Sequence, residues 1–513
     1  MDNFKYLYAS RQIKLAEQSI AKDHGFLLFD LMVKAGKAVF DLACFHYPDS
    51  HHWLIVCGKG NNGGDGYIVA TLAIEAGIKV TLLEVEGAAE SRGDASLARQ
   101  GFLSVGGAPK RLDVDELLSR GTDLEYDLVI DALLGTGLQG NLRPSTLDII
   151  EAVNGLKLPT ICVDVPSGLN SDTGQPMSSA MTADHTVCFI GMKQGLVTGR
   201  ARDYVGQLHL ANLSISEELL KQYQMPVARV DLCAMTAQIL APRKPTAHKG
   251  TSGRLAVVGG AQGMLGAARL ASLAGLRVGS GLVRAYVEKK SLVAMQSAEP
   301  EVMAMPWKNL KHQDWSANAL VIGPGLGQSK QAHEVFHSII DSSIDNLKKT
   351  SAYRLVIDAD GLNILAQSPM RNDKWVLTPH PGEAARLLGV TVAEIEEDRF
   401  AAVKSIQVQY GGVVVLKGAG TIIFDGSDYF LCTRGNAGMA TGGMGDVLAG
   451  MIGSYLAQGY STVQATMIGV LIHSMSADNC VKEQGQLGLI ASDLLPEIRR
   501  LTNYFANSCM TSS

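Results

Sequence analysis

A strand, a glycine-rich loop, a helix and a second strand follow one another near the start of the chain, and this succession restricts the fold most strongly. Residues 53–57, WLIVC, form a short apolar run typical of a buried strand, and residues 58–66, GKGNNGGDG, form the loop. Helical periodicity covers residues 67–76, and residues 79–83 are the next strand. Strands joined through a helix lie parallel. The sequence therefore predicts an α/β fold built on a parallel sheet.

Two of three further strand-like runs in the first half lead into side chains that carry oxygen. Ligands of parallel α/β sheets bind outside the carboxyl ends of the strands. Asn62, Asp131, Asp164 and Ser167 are therefore expected to converge on one site. Taken separately, Asp131 and Asp164 are as well explained as residues that cap turns as they are as ligand-binding residues. The runs are residues 126–130, 160–163 and 186–190, which lead into Asp131, into Asp164 and Ser167, and into Gly191-Met192-Lys193.

The second half of the chain starts the α/β pattern again. Pro242 and Pro245, with clustered basic charge, indicate a linker or a domain entry. Because 513 residues exceed one ordinary core, we expect two domains, residues 1–225 and 226–513, without an internal repeat. The strand-like runs of the second half are residues 254–258, 320–322, 355–357, 375–377 and 412–416, and residues 422–426 are typical of a hairpin arm.

The stretch with the clearest chemistry is residues 435–450, GNAGMATGGMGDVLAG. Its glycines and the apolar run that follows predict a loop that closes into a helix, with Asp446 near the helix start. Backbone N–H groups in such a loop form a nest that binds phosphate. Asp446 is suited to accept a proton from a hydroxyl beside that phosphate. A glycine-rich turn with an Asp cap is the simpler explanation.

Composition narrows the class of protein. A net charge of −5 and a pI near 6.2 argue against nucleic-acid or membrane-surface binding. Eight cysteines without a CxxC pair predict neither a zinc nor a redox motif. No signal peptide or transmembrane window is visible, so we expect a cytoplasmic protein. His46, His51 and His52 have no ligand-like spacing and are interpreted as surface residues.

Several of these motifs are found together in two known families. Residues 58–66, Asp131 with residues 135–141, and DVPSGL at 164–169 closely resemble the NAD(P)H-hydrate epimerase family. The second half is similar to the ADP-dependent NAD(P)H-hydrate dehydratase family. Both families together, in this order, form the bifunctional repair enzymes. The residues that carry the second resemblance are 248–250, 323–327, 378–383, 417–421 and 435–450.

The resemblance implies a fold and an activity. It implies an N-terminal Rossmann-like three-layer sandwich and a C-terminal ribokinase-like α/β domain. The first domain would interconvert the R and S forms of hydrated NADH and NADPH, NAD(P)HX. The second would dehydrate the S form with ADP, giving AMP and phosphate. The partners would be NAD(P)HX and ADP in a homo-oligomer, with K⁺ in the first domain and Mg²⁺ accompanying ADP in the second.

The resemblance also implies site residues. Asn62, Asp131 and Ser167 would hold K⁺, and their oxygen-only chemistry agrees with a hard cation. Asp164 is the candidate for proton transfer in epimerisation, and Asp446 in dehydration. Contacts to hydrated nucleotide in the first domain would come from Asn61, Asn62, Gly63, Gly64, Asp65, Gly135, Thr136, Gly137, Leu138, Gln139, Gly140, Asn141 and Asp164. In the second domain, Ala267, Gly325, His380 and Asp446 would contact substrate, and Lys417, Gly418, Ala419, Gly420, Thr421 and Gly445 would bind the nucleotide.

Departures and alternatives accompany this interpretation. Ala437 and Met444 stand where the family has proline and threonine, so a looser turn and one lost hydroxyl contact are expected. Three of the predicted site residues have simpler explanations. His380 is alternatively a polar turn residue, and Lys417 is alternatively a solvated residue at a strand end. Glu383 is alternatively an acid that only stabilises the start of a helix. Two competing functions remain. The chain is alternatively a ribokinase-like kinase that phosphorylates a vitamin alcohol, or its first domain binds a ligand without catalysing a reaction.

Overall fold

The computed structural model describes residues 4–114, 117, 126–137, 140–310, 317–345 and 354–508. The chain divides into two compact units, Met1–Arg229 and Val230–Ser513. Within the described residues, no helix is long and apolar enough to cross a membrane.

The first unit contains a seven-stranded parallel sheet. Its strand order is β4-β3-β2-β5-β6-β7-β8, and a short antiparallel pair, β1 with β9, completes the unit. The strands are β1 (Tyr6–Leu7), β2 (His52–Cys57), β3 (Lys79–Glu84), β4 (Lys110–Arg111), β5 (Leu128–Ala132), β6 (Thr160–Val163), β7 (His185–Phe189), β8 (Gln207–Ala211) and β9 (Ala228–Arg229). The helices are α1 (Ser10–His24), α2 (Leu28–His46), α3 (Asn61–Glu75), α4 (Asp94–Ser104), α5 (Pro144–Gly155) and α6 (Glu217–Tyr223).

Alternate residues of β2 pack on opposite faces of this sheet, which makes the unit a three-layer sandwich. Trp53 and Ile55 are fully buried in a core that includes residues of α1, α2 and α3. Leu54 and Val56 are fully buried in a second core, against residues of α5 such as Ile150. A strand that is apolar on both faces is expected when helices cover both sides of a parallel sheet.

The glycine-rich segment predicted as a loop over residues 58–66 is mostly helical, and that prediction is wrong from Asn61 onward. Helix α3 already begins there, and its glycines serve close packing. A Cβ atom on Gly63 would lie 2.1 Å from the carbonyl oxygen of Gly58, and one on Gly66 would lie 2.7 Å from the Cys57 sulfur. The glycines therefore let the helix start against the end of β2.

The second unit contains a sheet in the order β18-β17-β16-β15-β14-β13-β10-β11-β12. The strands are β10 (Arg254–Val258), β11 (Leu282–Val287), β12 (Val302–Pro306), β13 (Ala319–Ile322), β14 (Arg354–Ile357), β15 (Trp375–Leu377), β16 (Val413–Leu416), β17 (Thr421–Phe424) and β18 (Tyr429–Cys432). The helices are α7 (Leu232–Ile239), α8 (Leu265–Arg277), α9 (Leu292–Ala298), α10 (Lys330–Asp345), α11 (Asp360–Gln367), α12 (Pro381–Leu388), α13 (Val392–Glu397), α14 (Arg399–Tyr410), α15 (Met444–Ala457), α16 (Thr462–Gln484) and α17 (Leu494–Ser508).

Pairing in this sheet is parallel from β12 to β16 and antiparallel from β16 to β18. The predicted hairpin arm is β17, so that prediction is confirmed. Helices α8, α15 and α16 contribute to one large core with residues of β10 and β13. The strand order reverses between β10 and β13, the kind of position where such sheets bind ligands.

Candidate active sites

In the first unit, the ends of β2, β5 and β6 bring three of the predicted oxygen donors together. The side-chain amide of Asn62 donates to the Leu134 carbonyl at 2.9 Å, and the Leu134 amide donates to the Ser167 hydroxyl at 2.8 Å. That hydroxyl in turn donates to Asp131 Oδ1 at 2.6 Å. Residues that are far apart in the sequence thus meet at the carboxyl edge of the sheet.

Asp131 is fully enclosed at this point. Burial raises the pKa of its carboxyl group, and hydrogen bonds from Ser167, from the Leu133 amide and from the Cys162 thiol oppose that shift. Throughout the described ranges, no cationic side chain contacts the Asp131 carboxylate. A buried carboxylate without a cation is a suitable ligand for a bound ion, since buried charges are normally paired or coordinate metals.

Asp164 lies beside a buried lysine. Its Oδ1 accepts hydrogen bonds from Lys193 Nζ at 2.5 Å and from the Phe189 amide at 3.1 Å. Asp164 also has a φ of +64°, an uncommon conformation for a residue other than glycine. Burial is the largest single influence on Lys193 and opposes its charge, but attraction to Asp164 and Cys188, together with hydrogen bonding to both, raises the pKa of the lysine. Asp164 is therefore held in a buried ion pair and does not merely cap a turn.

Two further acids surround this pair. Burial raises the pKa of Asp65 well above its usual value, and repulsion from Asp164 adds to the shift. Burial also raises the pKa of Glu17, which lies on α1, against the attraction of Lys193. Neither Glu17 nor Lys193 was among the predicted site residues. Lys193 could have been predicted from the sequence, because it follows the end of a strand-like run. Nothing in the sequence around Glu17 indicates a site residue, because only the tertiary structure brings it to this position.

The remaining predicted residues of the first unit divide into four groups. Asn61, Gly63 and Gly64 begin α3, next to Asn62. Gly135, Thr136 and Gly137 follow β5, and a Cβ atom on Gly135 would lie 3.3 Å from the side-chain oxygen of Asn62. Gly140 and Asn141 are exposed. Leu138 and Gln139 lie outside the described residues.

In the second unit, Asp446 is the third residue of α15, and the helix begins after Gly443, whose φ is +90°. This agrees with the predicted loop that closes into a helix. Burial is the largest influence on Asp446 and, with the negative charge of Asp358, raises the pKa of its carboxyl group to about 7, although Lys417 attracts it. A carboxyl group with such a pKa is half ionised near neutral pH and is suited to general base catalysis.

Lys417 is the cation at the centre of this site. Its ammonium lies 2.8 Å from Asp358 Oδ1 and 3.7 Å from Glu383 Oε2, and Thr378 donates to the same Asp358 oxygen at 2.8 Å. Although burial opposes the charge of Lys417, the attraction of Asp358 and Glu383 raises its pKa. The alternative of a solvated strand end is therefore wrong, because the lysine side chain is only 18% exposed.

His380 and Glu383 form a reciprocal cap at the start of α12. The His380 amide donates to Glu383 Oε2 at 2.8 Å, and the Gly382 amide donates to His380 Nδ1 at 3.0 Å. Burial, followed by the charges of Lys417 and Arg386, lowers the pKa of His380 and keeps the ring neutral. Burial raises the pKa of Glu383. Glu383 thus starts the helix and also belongs to the group of Asp358, Thr378 and Glu383 around Lys417, here called the Lys417 cluster.

Backbone packing brings the other predicted residues close to these groups. A Cβ atom on Gly445 would lie 3.1 Å from the Lys417 ammonium, and one on Gly325 would lie 3.2 Å from Ala267 Cβ. The turn Gly418-Ala419-Gly420 joins β16 to β17, which starts at Thr421. Beneath this turn, Arg399 donates to the Lys417 carbonyl at 3.2 Å. Arg399 was missed, because a single arginine far from the loop carries no local signal.

The two departures from the family pattern lie in different surroundings. The Met444 side chain is buried in the core, so this side chain offers no contact to a ligand. Ala437 begins a short 3₁₀ turn that Asn436 caps, with its side-chain oxygen accepting from the Gly438 amide at 3.0 Å. The turn thus forms with alanine at this position.

Comparisons with known proteins agree with this geometry. A family model described as NAD(P)H-hydrate dehydratase matches residues 255–500, and one described as YjeF-related protein N-terminus matches residues 28–195. The bifunctional NAD(P)H-hydrate repair enzyme Nnr of Vibrio cholerae is 45% identical over 506 residues, which cover 97% of this chain and 98% of that protein. The enzyme of the same description from Escherichia coli is 41% identical and covers 96% and 93%, respectively.

A solved structure of an ADP/ATP-dependent NAD(P)H-hydrate dehydratase from Bacillus subtilis is 29% identical, with a TM-score of 0.49, and covers 55% of this chain and 100% of that one. The predicted class, two α/β domains of Rossmann-like and ribokinase-like type, is confirmed. At 45% identity over nearly the whole of both chains, the chain belongs to the family of bifunctional NAD(P)H-hydrate repair enzymes.

Proposed function

We propose that this chain repairs hydrated nicotinamide cofactors in two steps. Residues 1–225 interconvert the R and S forms of NAD(P)HX, and residues 226–513 dehydrate the S form to NAD(P)H while ADP becomes AMP and phosphate. The observation that carries the proposal is the position of Asp446, beside a glycine-rich loop and the Lys417 cluster, in a chain related to repair enzymes over its full length. A cytoplasmic location and a homo-oligomeric state belong to the same proposal.

The dehydration chemistry follows from the structure of the substrate. Carbon 6 of the ring carries a hydroxyl next to the ring nitrogen, and hydroxide is a poor leaving group. Asp446 takes the hydroxyl proton, and the oxygen attacks the terminal phosphorus of ADP, so that the bond to AMP breaks. The nitrogen lone pair then expels phosphate, and loss of a proton from carbon 5 restores the dihydropyridine. A base with a pKa near 7 suits the first step.

The surroundings of Asp446 supply the electrostatic part of the reaction. The amides of Gly442–Gly445 and the Lys417 ammonium stabilise the phosphoryl charge during transfer, and Gly418–Thr421 hold the nucleotide. Phosphoryl transfer depends mainly on such positioning and charge. Ala267, Gly325 and the neutral His380 contact the hydrated ring. The lack of a side chain at Gly445 supports this assignment, because a Cβ atom there would lie 3.1 Å from the Lys417 ammonium.

Mg²⁺ accompanies ADP in this proposal. Asp358 and Glu383 fit the ion, because both offer carboxylate oxygen, the ligand type that Mg²⁺ prefers, beside Lys417. When bound, Mg²⁺ would neutralise part of the charge on the phosphates.

In the first unit, Asp164 assists the loss and return of the hydroxyl at carbon 6, which exchanges the two faces of the ring. Lys193 is a positioning residue that holds Asp164 in a buried ion pair. Asp65, whose carboxyl pKa burial raises well above its usual value, lies in the same buried group. Asn62, Asp131 and Ser167 fit K⁺, since they supply oxygen only and Asp131 is enclosed without a cationic side chain in the described structure. When bound, K⁺ would balance the charge of Asp131.

An assay with mixed R and S NADHX tests the proposal. The mixture is incubated with ADP, with ATP and with neither nucleotide, and NADH absorbance, AMP and phosphate are measured. Complete return of NADH with ADP is expected, because both activities are then present. Return of the S fraction alone would mean that the first unit does not catalyse. A stable phosphorylated product without NADH would instead identify a kinase.

A further inference from the structure

Three histidines meet in the first unit, away from both candidate active sites. His46 is the last residue of α2, His185 is the first of β7, and His209 lies in the middle of β8. One ring nitrogen from each lies within 4.8 Å of those of the other two. His185 Nδ1 and His209 Nε2 are 3.0 Å apart. His46 reaches solvent, as its interpretation as a surface residue implied, but its two partners lie more than a hundred residues away in the sequence, so the cluster was not predicted.

This cluster lies at the opposite edge of the sheet from the candidate epimerase site. His185 begins β7, whereas Asp164 and Lys193 contact Phe189, the residue at which that strand ends. A strand of five residues separates the two edges by about 15 Å. The histidines have no part in the proposed epimerisation, so another role is open to them.

Burial favours the neutral form of two of these imidazoles, those of His185 and His209. Burial, followed by the neighbouring His185 and His46, lowers the pKa of His209 to about 4. Burial and His46 also lower the pKa of His185, although the Asp184 carboxylate opposes that shift. Neutral imidazole is the form that binds metal ions. The nearby negative charge of Asp184 favours a cation.

We propose that His46, His185 and His209 form a site for a divalent transition metal, with Zn²⁺ as the best-suited ion. A tetrahedral zinc with bonds of 2.0–2.1 Å keeps two ligand nitrogens about 3.3 Å apart. The His185–His209 distance of 3.0 Å is close to that value. His46 lies at a helix end and reaches solvent, so a small side-chain movement brings its nitrogen to the ion. Water takes the fourth position.

A stack of rings without a metal, with a direct hydrogen bond between His185 and His209, is the competing explanation. The rings of His46 and His185 lie 4.2 Å apart at an interplanar angle of 34°, which also suits simple packing. Packing alone predicts that each ring can be replaced without any effect on metal binding. The two explanations therefore differ in one measurable quantity, the affinity of the protein for Zn²⁺.

The test uses full-length protein without an affinity tag, freed of metal with a chelator and titrated calorimetrically with Zn²⁺. The test variants are His46→Gln, at an accessible position, and His209→Gln. The matched control is His51→Gln, because His51 is exposed and lies outside the cluster. A second control, His333→Gln with His337→Gln, removes a separate pair on α10 whose rings lie 6.4 Å apart.

We expect one zinc site per chain that weakens at least tenfold in His46→Gln and in His209→Gln and is unchanged in both controls. With Co²⁺, the wild type gains the visible absorption of a four-coordinate ion, and His46→Gln does not. Equal Zn²⁺ affinity in the wild type and His46→Gln would overturn the proposal. So would loss of the site only in the α10 control. Because His46 is accessible, failure of His209→Gln to fold leaves the test intact.

Discussion

Lys193 and Asp164 form an ion pair of 2.5 Å in which the lysine side chain is only 2% exposed and that of Asp164 is 14% exposed. Two isolated charges so far from water are costly to bury, and removal of one partner leaves the other uncompensated. The stability of the first unit and the proposed role of Asp164 in epimerisation therefore depend on the same ion pair. Stability and catalysis can be separated by changing both partners.

Lys193→Met is expected to destabilise the first unit by about 3–5 kcal/mol, because it leaves Asp164 buried without its cation. The double variant Lys193→Met with Asp164→Asn removes both charges and should recover most of that stability while epimerisation stays lost. Hydrogen exchange of peptides from β6 and β7 reports the local free energy of opening. Recovery of epimerisation in the double variant would contradict the role given to Asp164.

Asp446→Asn should slow dehydration about 10²–10⁴-fold, the usual effect of losing one general base, and should leave R-to-S interconversion unchanged. Asp164→Asn is the reciprocal control, since it should abolish interconversion and leave dehydration of purified S substrate intact. Both rates are measured for both variants. Near-normal dehydration by Asp446→Asn would refute its role.

The pH dependence of dehydration should report the raised pKa of Asp446. The base must be ionised, so kcat/KM should fall as pH decreases through about 7. For a carboxyl group of ordinary pKa, the fall would occur near pH 4. Measurement of kcat/KM from pH 5 to pH 9, with substrate and nucleotide stability controlled, distinguishes the two outcomes.

The same shift predicts an effect on stability. The pKa of Asp446 is higher in the folded protein than in the unfolded chain. The free energy of unfolding therefore decreases as pH rises from about 4 to about 7. Asp446→Asn removes the titrating group and should stabilise α15 relative to the wild type at pH 8. At pH 5 the difference should be small. Hydrogen exchange of α15 peptides at both pH values measures it, and a variant that is less stable at pH 8 would contradict the prediction.

The parts of the structure that depend on local pattern were predictable from the sequence. Apolar runs such as residues 160–163 and 375–377 coincide with β6 and β15, because a strand covered on both faces is apolar throughout. The start of α3 was missed because its glycines are also typical of loops. In this helix they are required by the close approach to β2.

Other tertiary pairs were not predictable, because their members are distant in the sequence and do not all follow strand ends. Lys193 meets Asp164 across 29 positions, and Arg399 reaches the Lys417 carbonyl across 18. His52, interpreted as a surface residue, is only 6% exposed because it begins β2, and its ring contacts Thr81 at 2.9 Å. Such side chains depend on neighbours that only the folded sheet supplies.

The central claim is that the hydroxyl oxygen leaves as part of phosphate. Purified (S)-NADHX whose ring hydroxyl carries oxygen-18 is incubated with ADP and the Asp164→Asn variant, so that epimerisation does not exchange the label. Mass spectrometry of the products then locates the isotope. Transfer of one labelled oxygen to each phosphate, with one AMP formed per NADH, is the predicted result. Appearance of the label in water, with unlabelled phosphate, would contradict the account.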